Sequence, residues 1–460
     1  MSQTKRGLHS IWKGRWTFIL AATGSAVGLG NIWKFPYMTG ENGGGAFVLM
    51  YLLCIAVIGI PVMMAEIMLG REGRASPIAT MQTLAHKYGA PKWFSVVGWM
   101  GAVSGFLILS FYSVIAGWTF YYMVELGLGA FLGATAQSST QTFGALMADP
   151  VTQLGLHTAF MALTALVLCL GVIKGLERSI RFLMPLLFMM LLVLLGYSLT
   201  TPAFMQGFEF LFYPDFSKLR ATSVLEALGH AFFTLSIGIG AIMAYGSYMP
   251  AKANIGKTVL AVVVLDTLCA LTAGLIIFPV VFSYGLEPSS GPGLLFQSVP
   301  LAFAALPGGQ YVGAFFFVLV LVAAWTSAIS MAEPMVAWLV EKGLGRVRST
   351  LLVCGVAWFL GLATILSFSH WSEVKILGRT LFDNIDFLTA SLLMPLGGLL
   401  IALFVGWHVA RPVLDKALAM RSKVAVGLWL FVLRFLSPLA ILLIFAQGLG
   451  LLKLLGLGAD

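Results

Sequence analysis

The chain has 460 residues, 59% hydrophobic and 10% charged, with a net charge of +9 and a mean hydropathy of +0.96. That balance excludes a water-soluble domain and indicates a polytopic helical membrane protein. The basic surplus does not point to nucleic acid, because the basic residues punctuate the gaps between apolar runs.

Taken in order, the apolar runs predict eleven membrane-spanning helices, over about 16–38, 44–70, 94–126, 156–173, 181–200, 224–249, 256–284, 309–341, 350–367, 383–408 and 428–450. Several exceed the roughly 20 residues a bilayer needs, so tilted or protruding helices are expected. The basic N-terminal stretch MSQTKRGLHSIWKGRW precedes no short apolar segment with a cleavage site. The first run therefore reads as a retained span rather than a signal peptide. With the N-terminus inside, the inner gaps hold Lys5, Arg6, Lys13, Arg15, Arg71, Arg74, Lys87, Lys92, Lys174, Arg178, Arg181, Lys252, Lys257, Lys342, Arg346, Arg348, Arg411, Lys416, Arg421 and Lys423. The outer gaps hold only Lys218, Arg220, Lys375, Arg379 and Lys453. This asymmetry predicts a multi-pass protein of the cell (inner) membrane with a cytoplasmic N-terminus, and the odd span count puts the C-terminus outside. The outer loop 127–155, rich in Gly, Ser, Thr and Gln, is expected to be irregular. Loop 285–308, with Pro288, Pro292, Pro300 and Pro307, is expected to form a cap with short helices. Cys54, Cys169, Cys269 and Cys354 fall within apolar runs without metal-ligand spacing and read as buried small hydrophobes.

The first span contains GSAVGLGNIWKF, residues 24–35. Gly28 and Gly30 stand one residue apart, followed by polar Asn31 and charged Lys34. Glycine costs a helix interior roughly 1 kcal/mol, and a cation at mid-membrane about 2.5–3.5 kcal/mol. One reading is a helix broken at mid-membrane, whose freed carbonyls hold a cation and whose freed N–H groups hold a carboxylate. The other is that the glycines only permit close helix packing. The sixth span, FFTLSIGIGAIMAYGSY over 232–248, repeats the device: Gly238 and Gly240 stand one residue apart beside Thr234 and Ser236. Two interrupted helices, each opening a block of five spans, favour an inverted-repeat transporter with its site where the breaks meet. The single transporter domain, 1–460, then divides into repeats of about 16–200 and 224–408 with an extra helix at about 428–450.

The motifs GSAVGLGN (24–31), ENGGGAF (41–47), YPDF (213–216), FFTLSIGIGA (232–241) and the pair Thr326-Ser327 are together similar to those of the neurotransmitter:sodium symporters. That resemblance covers nearly the whole chain. It implies an all-α membrane protein with a leucine-transporter-type 5+5 inverted repeat, broken helices one and six, and eleven transmembrane helices. It also implies Na⁺, two ions, as the coupling partner of an amino acid in a lipid bilayer. No organic cofactor and no nucleic-acid partner are implied.

The residues follow position by position. One sodium site is implied from the carbonyls of Gly24, Val27 and Ala323 with the hydroxyls of Thr326 and Ser327. A second is implied from Ala26, Asn31, Thr234 and Asp266, completed by the substrate carboxylate. Membrane Ser and Thr also commonly bond carbonyls of their own helix. Chloride-dependent members carry Asn where this chain has Asp266, so a fixed carboxylate here implies transport without chloride. A structural role for Asp266 beside some cation is the alternative. The substrate carboxylate would meet the Gly28–Gly30 backbone and the Tyr112 hydroxyl; the ammonium would meet the carbonyls of Ala26, Phe233 and Thr234 and the Ser236 hydroxyl. Side-chain contacts would come from Ile108, Phe233, Ile239, Ser327, Ala328 and Met331, a mostly apolar surface that suits a neutral hydrophobic or aromatic L-amino acid. The bland reading of the apolar members is helix packing. Gly28, where monoamine transporters carry Asp, leaves room for the substrate's own carboxylate.

Gates are implied outside by Lys34 with Asp386 under an aromatic lid, Phe233, and inside by Trp12, Ser247, Tyr248 and Glu341. Lys34 replaces the usual Arg and cannot form its planar fork. His230 replaces a usual Gln, and a histidine beside Lys34 suggests pH-sensitive outer gating over about pH 5–8; a hydrogen-bonded packing role is the alternative. His9 replaces the family's N-terminal Arg, with Lys5 and Arg6 just upstream, so the cation paired with Glu341 stays open. Glu66 is expected to tie the second span to the broken sixth. The rival classes are a channel, a membrane enzyme and a substrate-sensing receptor. There is no repeated pore loop, and none of HExxH, GxSxG or GxxxxGK[ST] occurs.

Overall fold

The structure, a computed structural model, describes residues 12, 14–288, 293–418 and 422–448. Among these residues the architecture is helical throughout, apart from one isolated bridge between Ile376 and Arg379. Among the described residues, nine helices are long and apolar enough to cross a membrane: Gly45–Gly73, Lys92–Gly127, Pro150–Cys169, Val172–Ser198, Ile255–Ser283, Gly309–Glu341, Arg346–Phe368, Leu381–His408 and Val424–Gln447. Each overlaps a predicted span, with ends displaced by up to nine residues. Val172–Ser198 shows the largest displacement, because Lys174 and Arg178 made its first turns look like a loop.

The other two predicted spans are interrupted. Arg15–Ala26 stops at Val27, whose φ −71° and ψ 111° are extended, and the chain resumes through Gly30–Lys34 into Phe35–Glu41. The gap therefore lies at Val27–Gly28, and Gly30 belongs to the second half. Asn31 fixes it there: its Oδ1 accepts the Gly28 N–H at 3.1 Å, replacing the carbonyl a continuous helix would supply. In the sixth span, Ala221–Thr234 and Ala241–Tyr248 are separated by six residues that include Ser236, Gly238 and Gly240 at φ 54°, 82° and 74°. That left-handed region suits glycine, and three residues of it within five end the helix outright.

The outer loop 127–155 departs from the irregular structure expected. It contains the helix Ala136–Ala148, opened by reciprocal Thr135–Ser138 bonds, and Asp149 then caps the helix that begins at Pro150. The capping residues were visible in the sequence; the polar stretch between them had no apolar period to read. In the second loop, Leu294–Ser298 and Val299–Ala304 are the short helices expected, while Pro292 lies outside the described residues.

The core is a bundle in which the Lys92–Gly127 and Gly309–Glu341 helices run together against both breaks. Gly101 and Gly105 allow that contact. A Cβ on Gly101 would lie 2.9 Å from the Gly240 nitrogen, and one on Gly105 3.0 Å from the Ile239 carbonyl oxygen. Backbone thus approaches backbone at the interruption.

Candidate functional site

The two breaks meet. The Ser236 hydroxyl donates to the Ser25 carbonyl at 2.9 Å, and the Phe233 ring lies against Gly30, where a Cβ would stand 3.2 Å away. Gly28 keeps an ordinary φ but has no room for a side chain. A Cβ there would lie 2.5 Å from Ser327 Oγ and 2.9 Å from the Tyr112 hydroxyl. Close packing and helix breaking, the two readings of these glycines, both hold at the same place.

A small cavity opens between the breaks. Ala26, Gly28, Gly30, Ile108, Tyr112 and Phe233 line it, as do Ser236, Ile239, Ser327 and Met331. Ser25, Leu29 and Met394 complete the wall and were not anticipated. Ser25 and Leu29 sit inside the recognised motif, whereas nothing around Met394 marks it out from other apolar positions. Thr234 and Ala328 are buried but do not line the cavity: the Thr234 hydroxyl turns to Asp266. Tyr112 accepts the Leu29 N–H at 3.3 Å, so the phenol already sits at freed backbone donors of the first break. The free volume is about 20 Å³, roughly one water, so an amino acid enters only when the walls part.

Beside the cavity Asp266 is fully buried. Asn31 Nδ2 donates to its Oδ1 at 2.8 Å, and the Thr234 hydroxyl donates to Oδ2 at 3.1 Å. No cationic side chain pairs with it among the described residues. Burying a carboxylate without a counter-charge costs several kcal/mol. The chemistry of this donor set, hard oxygens around an uncompensated negative charge, fits Na⁺.

A second oxygen cluster lies on the other side of the first break. Ser327 Oγ stands 3.3 Å from the Gly24 carbonyl, 3.3 Å from that of Ser25 and 3.1 Å from that of Val27. A hydroxyl has one proton to donate, so acceptors outnumber donors. Thr326 donates within its own helix to Ala323 at 3.0 Å. Ser327 reaches across to the broken helix, and Thr326 satisfies the local alternative. Surplus carbonyl oxygen at one point also fits a hard monovalent cation. No cluster of three or more His, Cys, Asp or Glu occurs among the described residues, so the donor chemistry is that of carbonyls and hydroxyls around a single carboxylate.

Outward of the cavity a recess of about 370 Å³ is lined by Lys34, His230, Phe233 and Met394 among others. Phe233 and Met394 line both spaces and so form the partition between them. The expected Lys34–Asp386 pair is not made: no N···O approach within 4.0 Å joins them, and Lys34 Nζ lies 4.4 Å from the Phe233 ring centroid instead. The ring face attracts the ammonium, and lysine lacks the second donor arm that would span the gap. His230 is buried between Phe35 and Tyr51, with ring centroids 6.0 and 5.2 Å away, and neither ring nitrogen has a partner among the described residues. Its ring packs here against two aromatic neighbours.

The inner side is shut. The Trp12 N–H donates to the Tyr248 carbonyl at 3.1 Å, and its indole packs on Tyr245 and Tyr248 with ring centroids 5.2 and 5.4 Å away. Tyr248 donates to Glu333 at 2.7 Å, and Arg346 grips Glu333 with both guanidinium arms at 2.8 and 2.5 Å. Glu333 was missed, although a carboxylate inside ISMAEPMVAW carries the same signal as Asp266 inside its own run. The Ser247 hydroxyl bonds back to Ala244 in its own helix at 2.6 Å rather than reaching across. Glu341 accepts the Ser76 N–H at 2.6 Å and the Ser76 hydroxyl at 2.5 Å, and so holds the residue that caps the helix starting at Pro77. His9, Lys5 and Arg6, its expected cation partners, lie outside the described residues. Glu66 behaves as expected, accepting the Gly238 N–H at 3.2 Å from full burial at the sixth-helix break.

Two broken helices, a pair of oxygen-rich clusters and a closed cavity between them form the arrangement of a substrate-carrying membrane protein. The chain belongs to the sodium:neurotransmitter symporter family, whose description matches residues 9–129 and 138–457. It is 40% identical to the sodium-dependent transporter YhdH of Bacillus subtilis over 449 residues, covering 96% of this chain and 98% of that one. It is also 26% identical to the sodium- and chloride-dependent taurine transporter of Canis lupus familiaris over 410 residues, or 77% of this chain and 65% of that one. Among solved structures it resembles that of MhsT in complex with L-phenylalanine, at 42% identity and a TM-score of 0.88 over 95% of this chain and 99% of that one.

Proposed function

We propose that the protein imports a neutral hydrophobic or aromatic L-amino acid together with Na⁺ by alternating access, without needing chloride. In this reading it is a leucine-transporter-type 5+5 inverted repeat of eleven spans in the cell (inner) membrane, with its N-terminus cytoplasmic and C-terminus outside. The observation that carries it is Asp266, a fully buried carboxylate that pairs with no cationic side chain among the described residues and is bonded to both broken helices through Asn31 and Thr234. Family membership supports the sodium dependence. The apolar wall of Ile108, Phe233, Ile239, Met331 and Met394 supports the substrate class, as does L-phenylalanine bound to MhsT.

Asp266, Asn31 and Thr234, with the Ala26 carbonyl and the substrate's own carboxylate, would hold one Na⁺; Gly24, Val27, Ala323, Thr326 and Ser327 would hold the second. Bound there, sodium supplies the positive charge that a buried carboxylate and converging carbonyls lack. Because the substrate carboxylate completes the first set, each ligand raises the affinity for the other. Asp266 supplies the fixed negative charge for which relatives use chloride. Gly28 and Gly30 leave the backbone bare for the carboxylate beside the Tyr112 hydroxyl, and Ser236 with nearby carbonyls receives the ammonium. Phe233 closes over the occupied cavity. Lys34 and Asp386 complete the outer closure as the partition tightens, and Trp12 withdraws with Tyr248 from Glu333 when the inner side opens.

One charge moved inward through 100 mV releases about 2.3 kcal/mol. A tenfold sodium gradient adds roughly 1.4 kcal/mol per ion. Two ions thus supply about 7 kcal/mol, enough for a substrate gradient on the order of 10⁵. Uptake of labelled L-phenylalanine into vesicles tests the reading. An inward sodium gradient should drive accumulation, and replacing chloride by gluconate should leave the rate unchanged. Collapse of uptake in gluconate removes the chloride independence; accumulation without sodium removes the coupling.

A further inference from the structure

Away from the central cavity, three elements meet around a recess of about 510 Å³ on the face that the proposed orientation turns to the cytoplasm. They are the end of the Gly45–Gly73 helix, the stretch that follows the inner half-helix Ala241–Tyr248, and the short helix Arg411–Leu418. The walls carry Arg71, Arg74 and Lys416, with Lys87 from the end of the neighbouring Pro77–Lys87 helix, against a single lining carboxylate, Glu72, which is already paired with Lys87.

The two arginines use main-chain oxygens as partners. Arg71 donates to the Ala253 carbonyl at 2.8 Å and to that of Ala417, so one side chain ties all three elements together. Arg74 donates to the carbonyls of Ser247 and Met249, at 3.0 and 2.6 Å, at the C-terminal end of the half-helix. A cation is favourable at that end of a helix. Arg74 reaches it from a left-handed φ of 52°, a strained conformation for a residue other than glycine. Neither arginine has a carboxylate within ion-pair distance among the described residues. A guanidinium carries five N–H donors, so both keep donors to spare. The recess thus combines surplus positive charge, unspent planar donors and a hinge segment.

We propose that this recess binds a phosphate-bearing anion, either the headgroup of an anionic lipid or a soluble phosphate monoester, and that binding clamps the inner half-helix shut. Arg71 and Arg74 present the forks that phosphate oxygens accept, and Lys416 adds a point charge. Arg71 and Arg74 are held at the recess by carbonyls of the half-helix and of the stretch that follows it, so the site as it stands belongs to the arrangement in which the half-helix lies against the end of the Gly45–Gly73 helix. The anion therefore favours the inner-closed arrangement by differential binding and slows the turnover that depends on opening it. The effect on transport rests on the proposed alternating-access function; the binding itself does not.

The test uses the full chain. In detergent, inorganic phosphate in one arm and dispersed phosphatidylglycerol in the other are titrated against thermal unfolding of the wild type, Lys416→Gln and Arg71→Gln. At least one ligand should raise the wild-type midpoint at concentrations that leave Lys416→Gln unmoved, and the responding arm identifies the source. In phosphatidylcholine vesicles the same ligand should slow wild-type uptake about fivefold, the low end of a typical coupling, and slow Lys416→Gln less. Uptake by Lys416→Gln without the anion should match the wild type. Equal midpoint shifts in wild type and Lys416→Gln, no shift in either arm, or faster uptake with the anion bound would overturn the proposal. The Lys416 side chain makes no hydrogen bond to the main chain among the described residues, so that variant decides the matter even if Arg71→Gln does not fold. Loss of sodium-driven uptake in every protein and every vesicle would count against the transport function alone, with the midpoint shifts still deciding the site.

Discussion

At the scale of single residues, the account turns on side chains whose charge or bulk has no slack. Asp266 is buried without a cationic neighbour, so Asp266→Asn removes the charge that a sodium ion would balance. The variant should need at least about tenfold more sodium for half-maximal uptake, a loss of about 1.4 kcal/mol, and chloride should partly restore it. A sodium titration of uptake, with and without chloride, measures both. Gly28→Ala should abolish substrate binding while leaving the fold largely intact, because the new Cβ would lie 2.5 Å from Ser327 Oγ and 2.9 Å from the Tyr112 hydroxyl. Equilibrium binding on purified protein checks it. These positions were legible in the sequence because a carboxylate or a glycine pair inside an apolar run is costly and demands a reason. Met394 was not legible, since an apolar residue in an apolar helix carries no such signal. The separation of Lys34 from Asp386 was not legible either, because a pairing read from type and position says nothing about reach.

At the scale of elements, the breaks were foreseen and their geometry was not. Glycine spacing put the first interruption within residues 24–35; the Asn31 side chain holds it at Val27–Gly28, a choice made by a hydrogen bond rather than by propensity. In the sixth helix Gly238 has φ 82°, and a Cβ there would meet the Met394 carbonyl oxygen at 2.3 Å. Gly238→Ala should therefore destabilise the protein by more than the roughly 1–3 kcal/mol of left-handed strain alone, seen as a lower unfolding midpoint. The inner end is held by Tyr248, Glu333 and Arg346. Glu333→Gln leaves a mostly buried guanidinium without its counter-charge and should cost about 3–5 kcal/mol. Tyr248→Phe removes one neutral donor and should cost far less while easing inner opening. Denaturation of the two variants side by side separates them. The helix Ala136–Ala148 shows the opposite limit: its caps were present in the sequence, but its faces had no apolar contrast.

At the scale of the whole molecule, membrane-helical character was fixed by composition and hydropathy alone, and the nine uninterrupted helices fall where apolar length required them. How the breaks come to face each other was beyond periodicity. It depends on small residues far apart in the chain, Gly101 and Gly105 among them, that let backbones touch across the bundle. The resulting body is closed at the end held by Trp12 and Tyr248 and recessed at the other above Phe233, with a central cavity between. The central claim is that amino acid and sodium complete one another's site at the junction of two broken helices. The most direct measurement is equilibrium binding of labelled L-phenylalanine to the purified protein across a sodium titration, with choline as the replacement cation. The account predicts affinity that rises with sodium and vanishes in choline, with sodium affinity rising reciprocally as the amino acid is added. Binding of equal strength in sodium and in choline would contradict it.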